Sequence, residues 1–423
     1  MGYKNEQSKL PMTLTPNLDL GLSSNEAPSR FSEKTHAAQP VKPVSRLELH
    51  AARIGFFTGG FTVASWAPII PYIQSELSLD PLMLGLLLLC LSIGSFVGMP
   101  LAGTLTRKFG ARNAIAASGL ASCVLLVILA SIPSFSLTCT ALLAYGVALG
   151  CLEVGVNIYG TNLENRMDQR LMSGLHAAYS IGEVASAVLL TTMFIAGLSP
   201  ITAVSAMMAC LIVALIVILK DVRNEKIAPL PKPGKAGSST RITGVVAILS
   251  VICAVVFLTE GSMLDWSAIY LRDFASVPQD ASAIGYTLFV IAMAISRLAG
   301  DRLTTYFGAY DMLRIGVSVI LASLLLLVLI PHPAVALFSL FLMGLGLANV
   351  APILISAASR TSEMDSIRAI MIVSTAGYGG LLVGPAFIGA ISKVFSLQGA
   401  FLCVSMLLAV VLGLIYRNKT SFR

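Results

Sequence analysis

Apolar residues along this chain neither alternate at period two nor keep to one helical face; they come in long blocks. Twelve stretches are apolar almost throughout, near 52–73, 82–104, 113–132, 137–160, 174–197, 201–220, 243–270, 281–303, 312–331, 334–357, 370–392 and 399–416. A helix needs about 20 such residues to cross about 30 Å of hydrocarbon, so each block predicts a transmembrane helix. Proline, glycine or charge punctuates the ends, as at Pro71, Pro81, Pro133, Pro200 and the Pro331–His332–Pro333 turn. The pattern predicts an all-α membrane protein of twelve transmembrane helices.

Charge then sets direction. With the adjoining helix ends, the amino tail and every second loop hold 26 of the 28 Lys and Arg residues, and the opposite loops hold only Arg272 and Lys393. The positive-inside rule places both termini in the cytoplasm. The first 45 residues are rich in Ser, Pro, Asn, Lys and Glu without apolar periodicity, and predict a disordered cytoplasmic tail. They lack the basic start and apolar stretch of a signal peptide, so insertion is expected through the first span.

The chain also repeats itself. The polar stretch from Lys220 to Arg241, with its Pro-Leu-Pro-Lys-Pro-Gly run, follows six spans and precedes six, and reads as a linker. Trp66 and Trp266 are 200 residues apart, Glu153 and Asn349 196, Tyr179 and Tyr378 199. The second span of each half leads into Ala102-Gly103…Phe109-Gly110 or Ala299-Gly300…Phe307-Gly308. The expected organisation is a tail (1–45), a six-helix half (46–220), a cytoplasmic linker (221–242), a second six-helix half (243–417) and a short cytoplasmic tail (418–423). Two such halves, related by an axis along the membrane normal, describe alternating-access secondary transporters.

Composition narrows the class further. The chain is 56% hydrophobic and 12% charged, with a mean hydropathy of +0.85. A soluble protein carries about twice that charged share, which excludes a soluble enzyme and a disordered chain. The net charge of +7 is a topological signal and an attraction to anionic lipid headgroups, with no nucleic-acid partner implied. All seven cysteines, Cys90, Cys123, Cys139, Cys151, Cys210, Cys253 and Cys403, lie inside apolar runs without a CxxC pair. They read as small packed residues, not as a metal site or disulfide framework. There is no GxxxxGK[ST] loop, HExxH or GxSxG, so neither nucleotide-driven transport nor an intramembrane enzyme is expected, and no cofactor.

The loop Gly103-Thr-Leu-Thr-Arg-Lys-Phe-Gly-Ala-Arg112 resembles the GxLaDrxGrr loop of the major facilitator superfamily. Arg107 replaces its usual Asp, which puts the family's cytoplasmic latch in doubt for this half. Arg297…Gly300-Asp-Arg-Leu…Phe307-Gly308 keeps the acid, Asp301. The resemblance spans roughly residues 46–420 and implies the six-plus-six fold. Glu153-Val-Gly-Val-Asn157, Leu175-His-Ala-Ala-Tyr179 and Thr259-Glu-Gly-Ser-Met-Leu-Asp-Trp266 are similar to the fucose-permease-like branch, and within it to YbjJ-type bacterial inner-membrane proteins. That likeness implies location in the bacterial inner membrane and a sugar-like solute. The branch's acid in the first span has no counterpart between Ala52 and Ile73, so its two-carboxylate coupling does not carry across.

An ionisable side chain in the bilayer costs about 2.5–3.5 kcal/mol on insertion scales and asks for a partner or a task. Glu153, Glu183 and His176 are candidates for proton coupling. His176, Tyr179 and Glu183 share one helical face at i, i+3 and i+7. Asn157, Tyr179, Glu260, Asp265, Trp66, Trp266, Asn349 and Tyr378 are candidates for lining a substrate cavity. Asn349 reads equally as glue between helices, Glu260 as helix packing, and the aromatics as packing or interfacial residues. Arg107, Arg112, Arg297, Asp301 and Arg302 are candidates for a cytoplasmic gate, with Arg297 and Asp301 an i, i+4 pair.

The expected activity is secondary transport of a small polar or amphipathic solute, coupled to protons, by a monomer in the lipid bilayer. A proton-driven drug or metabolite exporter is the alternative within transport; span 5 lacks the Gly-Pro-rich pattern of such exporters. A membrane sensor that keeps the fold but transports nothing is the alternative of another class.

Overall fold

The computed structural model describes residues 46–132, 134–167, 171–219, 224, 243–360 and 366–419, and all of these but the side chains of 173, 218, 219, 301, 366 and 367. The expected amino tail, nearly all of the linker and the last four residues lie outside that set. Every element among the described residues is helical: α1 Arg46–Ala64, α2 Ile70–Glu76, α3 Pro81–Phe109, α4 Ala111–Leu129, α5 Phe135–Met167, α6 Met172–Ile195, α7 Pro200–Leu219, α8 Gly244–Asp273, α9 Ile284–Phe307, α10 Ala309–Leu329, α11 Pro333–Leu347, α12 Val350–Ser359 and α13 Ser366–Arg417.

Among the described residues, ten helical stretches are long and apolar enough to cross a membrane. Two join neighbouring elements, α1 with α2 across the 3-10 turn Ala67–Ile69, and α11 with α12. The chain leaves the helical conformation inside α13 at Ser396, at φ 71°, and α9 adds 24 further residues, apolar over Ile284–Gly300. The fold is therefore all-helical, with ten to twelve apolar helices.

The helix ends follow from local chemistry. Asp80 caps α3: its carboxylate accepts from the Met83 N–H at 2.8 Å, and Pro81 takes the first position, where a missing N–H costs nothing. Gly110 and Gly308 turn α3 into α4 and α9 into α10 with φ of 87° and 82°. A side chain resists that conformation, which explains the Phe-Gly pair repeated in both halves.

The helices pack through glycines. A Cβ at Gly182 on α6 would fall on the Phe57 carbonyl oxygen of α1, and one at Gly380 on α13 would fall on that of Ala254 in α8. Likewise Gly146 abuts the Leu91 carbonyl and Gly344 the Phe289 carbonyl. Both members of each contact recur 197 or 198 residues later, so the repeat legible in the sequence is also a repeat of packing.

The bundle has two ends. At one, the turns after α2, α8 and α13's first stretch meet: Ser75 donates to Gln279 Oε1 at 3.3 Å, and Lys393 Nζ lies 3.2 Å from Asp80 Oδ2. At the other, Glu48 pairs with Arg166 at 3.5 Å, and the Asn113 N–H reaches Asn224 at 3.5 Å. The Met83 N–H and the Lys393 ammonium hold the Asp80 carboxyl below its ordinary value.

Candidate functional site

Between these ends, five helices bring ionisable side chains to the middle of the bundle. Glycine makes this possible on α1: a Cβ at Gly60 would strike the Tyr179 carbonyl and lie 3.2 Å from Glu183 Cγ, and one at Gly59 would lie 3.1 Å from the Tyr179 ring. The bare Gly59-Gly60 surface lets α6 approach and sets where Tyr179 and Glu183 point.

Tyr179 Oη donates to Glu153 Oε1 at 2.8 Å, joining α6 to α5. Asn157 donates to the Glu153 carbonyl at 2.8 Å, so its amide serves its own helix. Glu183 Oε2 lies 3.9 Å from Arg297 Nη1, and Arg297 Nη2 lies 3.8 Å from Glu260 Oε1. One guanidinium on α9 thus stands between a carboxylate of the first repeat and one of the second. These separations admit Coulombic attraction but are too long for direct hydrogen bonds.

Exposure locates the group. The Arg297 side chain is 42% accessible, Glu183 17% and Glu260 19%. Charged groups at the centre of an apolar bundle that stay accessible and face one another line an internal space. Glu183 is within electrostatic reach of both Glu153 and Glu260, and Tyr378 of Glu153 and Glu260. Asp265 has no hydrogen-bond or ion-pair partner among the described residues; Tyr286 on α9 is its electrostatic neighbour, and also that of Glu183. His176 is exposed at the start of α6, with its ring edge-on to Phe56 at 5.2 Å.

Other candidates fall elsewhere. Trp66 and Trp266 keep 3% and 1% of their surface accessible and sit in the hydrophobic core. Their repeat marks equivalent packing, because a large ring in an apolar span is worth most where it excludes lipid and water together. Asn349 takes the role of glue: its amide donates to the Ser296 carbonyl at 3.1 Å and to Ser296 Oγ at 3.0 Å, over a space that only Gly300 leaves open. Tyr378 is 48% accessible and packs edge-on to Phe257 at 5.9 Å.

Of the gate candidates, Arg107 is exposed and touches Thr104 at 3.5 Å; Arg112 is half-buried at the start of α4, and Arg302 is exposed on α9. The Asp301 side chain lies outside the described residues. Arg297, expected to pair with Asp301, faces Glu183 and Glu260. It stands one turn deeper than Asp301 on α9, which is where the interior carboxylates are.

Sequence reasoning passed over two residues. Tyr286 was legible only as one aromatic in an apolar run, and its proximity to Glu183 and Asp265 depends on how α9 packs against α6 and α8. Arg272 stood out as a basic residue in an otherwise base-poor set of loops, a signal of topology but not of contact.

Comparison with known proteins agrees with this architecture. The Major Facilitator Superfamily model matches residues 54–366. An MFS-type transporter of Yersinia pestis is 35% identical over 381 residues, covering 90% of this chain and 98% of its own. The membrane protein MosC of Rhizobium meliloti is 28% identical over 392 residues, covering 89% and 94%. Among solved structures, the nucleoside transporter NupG superposes with a TM-score of 0.68 at 16% identity, over 88% of this chain and 99% of NupG. A D-xylose–proton symporter gives 0.67 at 13%, over 88% and 97%. The chain belongs to the Major Facilitator Superfamily.

Proposed function

We propose that this protein is a secondary active transporter that carries a small polar solute across the bacterial inner membrane by alternating access, coupled to protons. One observation carries the reading: the accessible guanidinium of Arg297 stands at mid-bundle between Glu183 of one repeat and Glu260 of the other. A single arginine cannot neutralise both carboxylates, and Glu153 and Asp265 add two more acids nearby. An interior with four carboxylates and one arginine is far too costly fully ionised. Protons therefore reside there, and a change in which carboxylate holds the arginine changes which one holds a proton.

The finer architecture belongs to the same reading. Dividing α13 at Ser396 and counting α9 gives twelve crossings, six on either side of the linker, with the recurring glycine contacts relating the halves. The charge bias of the loops puts both termini in the cytoplasm, so the Glu48 end faces the cytoplasm and the Arg272 end faces outward. Glu153, Glu183 and Glu260 carry the exchangeable protons, and Tyr179, Tyr286, Tyr378 and Asp265 border the solute. The likeness to the fucose-permease-like branch, together with the xylose and nucleoside carriers of the same fold, favours a sugar-bearing solute. The protein works as a monomer, since one chain holds both halves.

The test is uptake into proteoliposomes of radiolabelled sugars, nucleosides, amino acids and organic acids, with and without an inward proton gradient. Gradient-stimulated uptake of one class, abolished in Glu183→Gln, supports the proposal. Stimulated uptake that survives Glu183→Gln and Glu153→Gln removes these carboxylates from coupling. Specific ligand binding without movement of any solute would favour the sensor.

A further inference from the structure

We infer that Arg272 is the residue that closes the bundle at the end opposite Glu48 and Arg166, by positioning α2 against α8. The inference rests on the alternating-access reading and adds to it a named latch.

A guanidinium carries five N–H donors in a rigid fork, and here all five are engaged. Nη1 donates to the Pro71 carbonyl at 3.0 Å and to Ser75 Oγ at 3.0 Å; Nη2 donates to Gln74 Oε1 at 2.7 Å. These three acceptors belong to α2. Nε and Nη2 donate to the two Asp273 carboxylate oxygens at 2.6 and 3.1 Å, which fixes the fork from its own helix. The side chain is only 18% accessible, so water competes poorly for these bonds. Ser75 extends the clasp to Gln279 in the turn after α8.

Among the described residues the other polar links between the repeats engage fewer groups. The buried Thr191 and Thr287 hydroxyls meet at 2.9 Å between α6 and α9, and Thr287 also lies 3.2 Å from the Ala187 carbonyl. Lys393 and Asp80 remain 52% and 45% accessible, and an exposed pair of this kind contributes little. Arg297 makes no direct hydrogen bond to Glu183 or Glu260. Arg272 differs from these in placing three bonds from one side chain on a single short element of the other repeat. They grip an element able to move: α2 has seven residues and is cut from α1 by a 3-10 turn containing Pro68, with Pro71 near its own start. A short helix beyond a proline-bearing turn can swing without unwinding α1. Release of Arg272 would let α2 lift from α8 and admit solute from this side.

The experiment places genetically encoded spin-label amino acids at the exposed positions Glu76 and Asp280, leaving the seven native cysteines untouched. Their separation is measured in the full-length protein in lipid nanodiscs, so no substrate need be known. We expect one dominant short distance in the otherwise unchanged chain, and a population shift to a longer component in Arg272→Ala. Arg272→Lys should shift in the same direction, because an ammonium cannot engage five divergent acceptors. Lys393→Ala should leave the distribution unchanged. If Arg272→Ala does not fold, the double change Gln74→Ala with Ser75→Ala removes two α2 acceptors and must give the longer component. The inference is overturned if these variants keep the short distance while only the melting temperature falls, which is a purely structural role. It is also overturned if Lys393→Ala shifts the distribution as far as Arg272→Ala does. Failure of all solute uptake, by contrast, would count against the transport reading and leave this measurement interpretable.

Discussion

Arg297 and Tyr179 set the electrostatics of the interior by different means. Tyr179 gives Glu153 one short hydrogen bond within the first repeat, whereas Arg297 attracts Glu183 and Glu260 across the repeats without bonding either directly. Their substitutions should therefore separate. Tyr179→Phe leaves a shielded carboxylate without its donor, which costs about 1–3 kcal/mol; a lowered melting temperature with folding retained is the expected result, and an unchanged one would count against that bond. Arg297→Gln removes the cation shared by both repeats. Proton-driven uptake should fall to background while solute binding, read by ligand-induced thermal stabilisation, persists. Uptake retained in Arg297→Gln would exclude it from coupling. The carboxylates themselves were legible in the sequence, because an acid inside an apolar block is conspicuous and its cost is known. Their partners were not. Arg297 sits i, i+4 from Asp301, and local spacing favoured that pair, yet the three-dimensional packing of α9 against α6 and α8 offered it two interior acids. Asn349 shows the same limit: its polarity and repeat position were legible, but its engagement with Ser296 over Gly300 required a neighbouring helix.

At the scale of helices, glycine decides how near two axes can come. Gly182 and Gly380 each face a carbonyl of the neighbouring helix, and a methyl group at either must push that helix away. Gly379, one residue along α13, has nothing within 4 Å of such a methyl. Gly182→Ala and Gly380→Ala should each destabilise by roughly 1–3 kcal/mol through overpacking. Gly379→Ala should be neutral or stabilising, because alanine is the better helix former by up to about 1 kcal/mol. Thermal melts of the three purified variants test this; equal melting temperatures would remove the close-packing argument. The blocks of apolar residues fall on the long helices among the described residues, since length and hydropathy alone define a span. The breaks were less legible. Pro68 and Pro71 lie inside what reads as one apolar span, and the chain answers them with a 3-10 turn and a separate α2. Nothing in the hydropathy pattern marks the interruption at Ala348–Asn349 between α11 and α12.

For the whole molecule, two kinds of charge act at different places, and pH distinguishes them. The Asp80 carboxyl at the Arg272 end is held below its ordinary value, first by the Met83 N–H and then by Lys393. A group depressed by folding contributes its stabilisation above its unfolded pKa of about 4, and that contribution is lost only as pH falls through the lower folded value. The Asp80 carboxyl therefore stays ionised throughout the range in which cells live. A dependence of transport on pH between about 5 and 8 is then expected from the interior carboxylates or from a histidine such as His176, whose ordinary range lies near neutrality. The interior set is separable by substitution. A pH profile of uptake that persists in Asp80→Asn and Lys393→Ala, but flattens in Glu183→Gln, is the expected outcome. A profile that flattens in Asp80→Asn would instead place the pH sensing at the Arg272 end of the bundle. A profile that flattens only in His176→Gln would transfer it to the start of α6, where the imidazole is exposed. The distinction matters for the proposed mechanism: under alternating access a proton taken up at the centre would be carried across, whereas one taken up at an end would regulate opening without crossing the membrane.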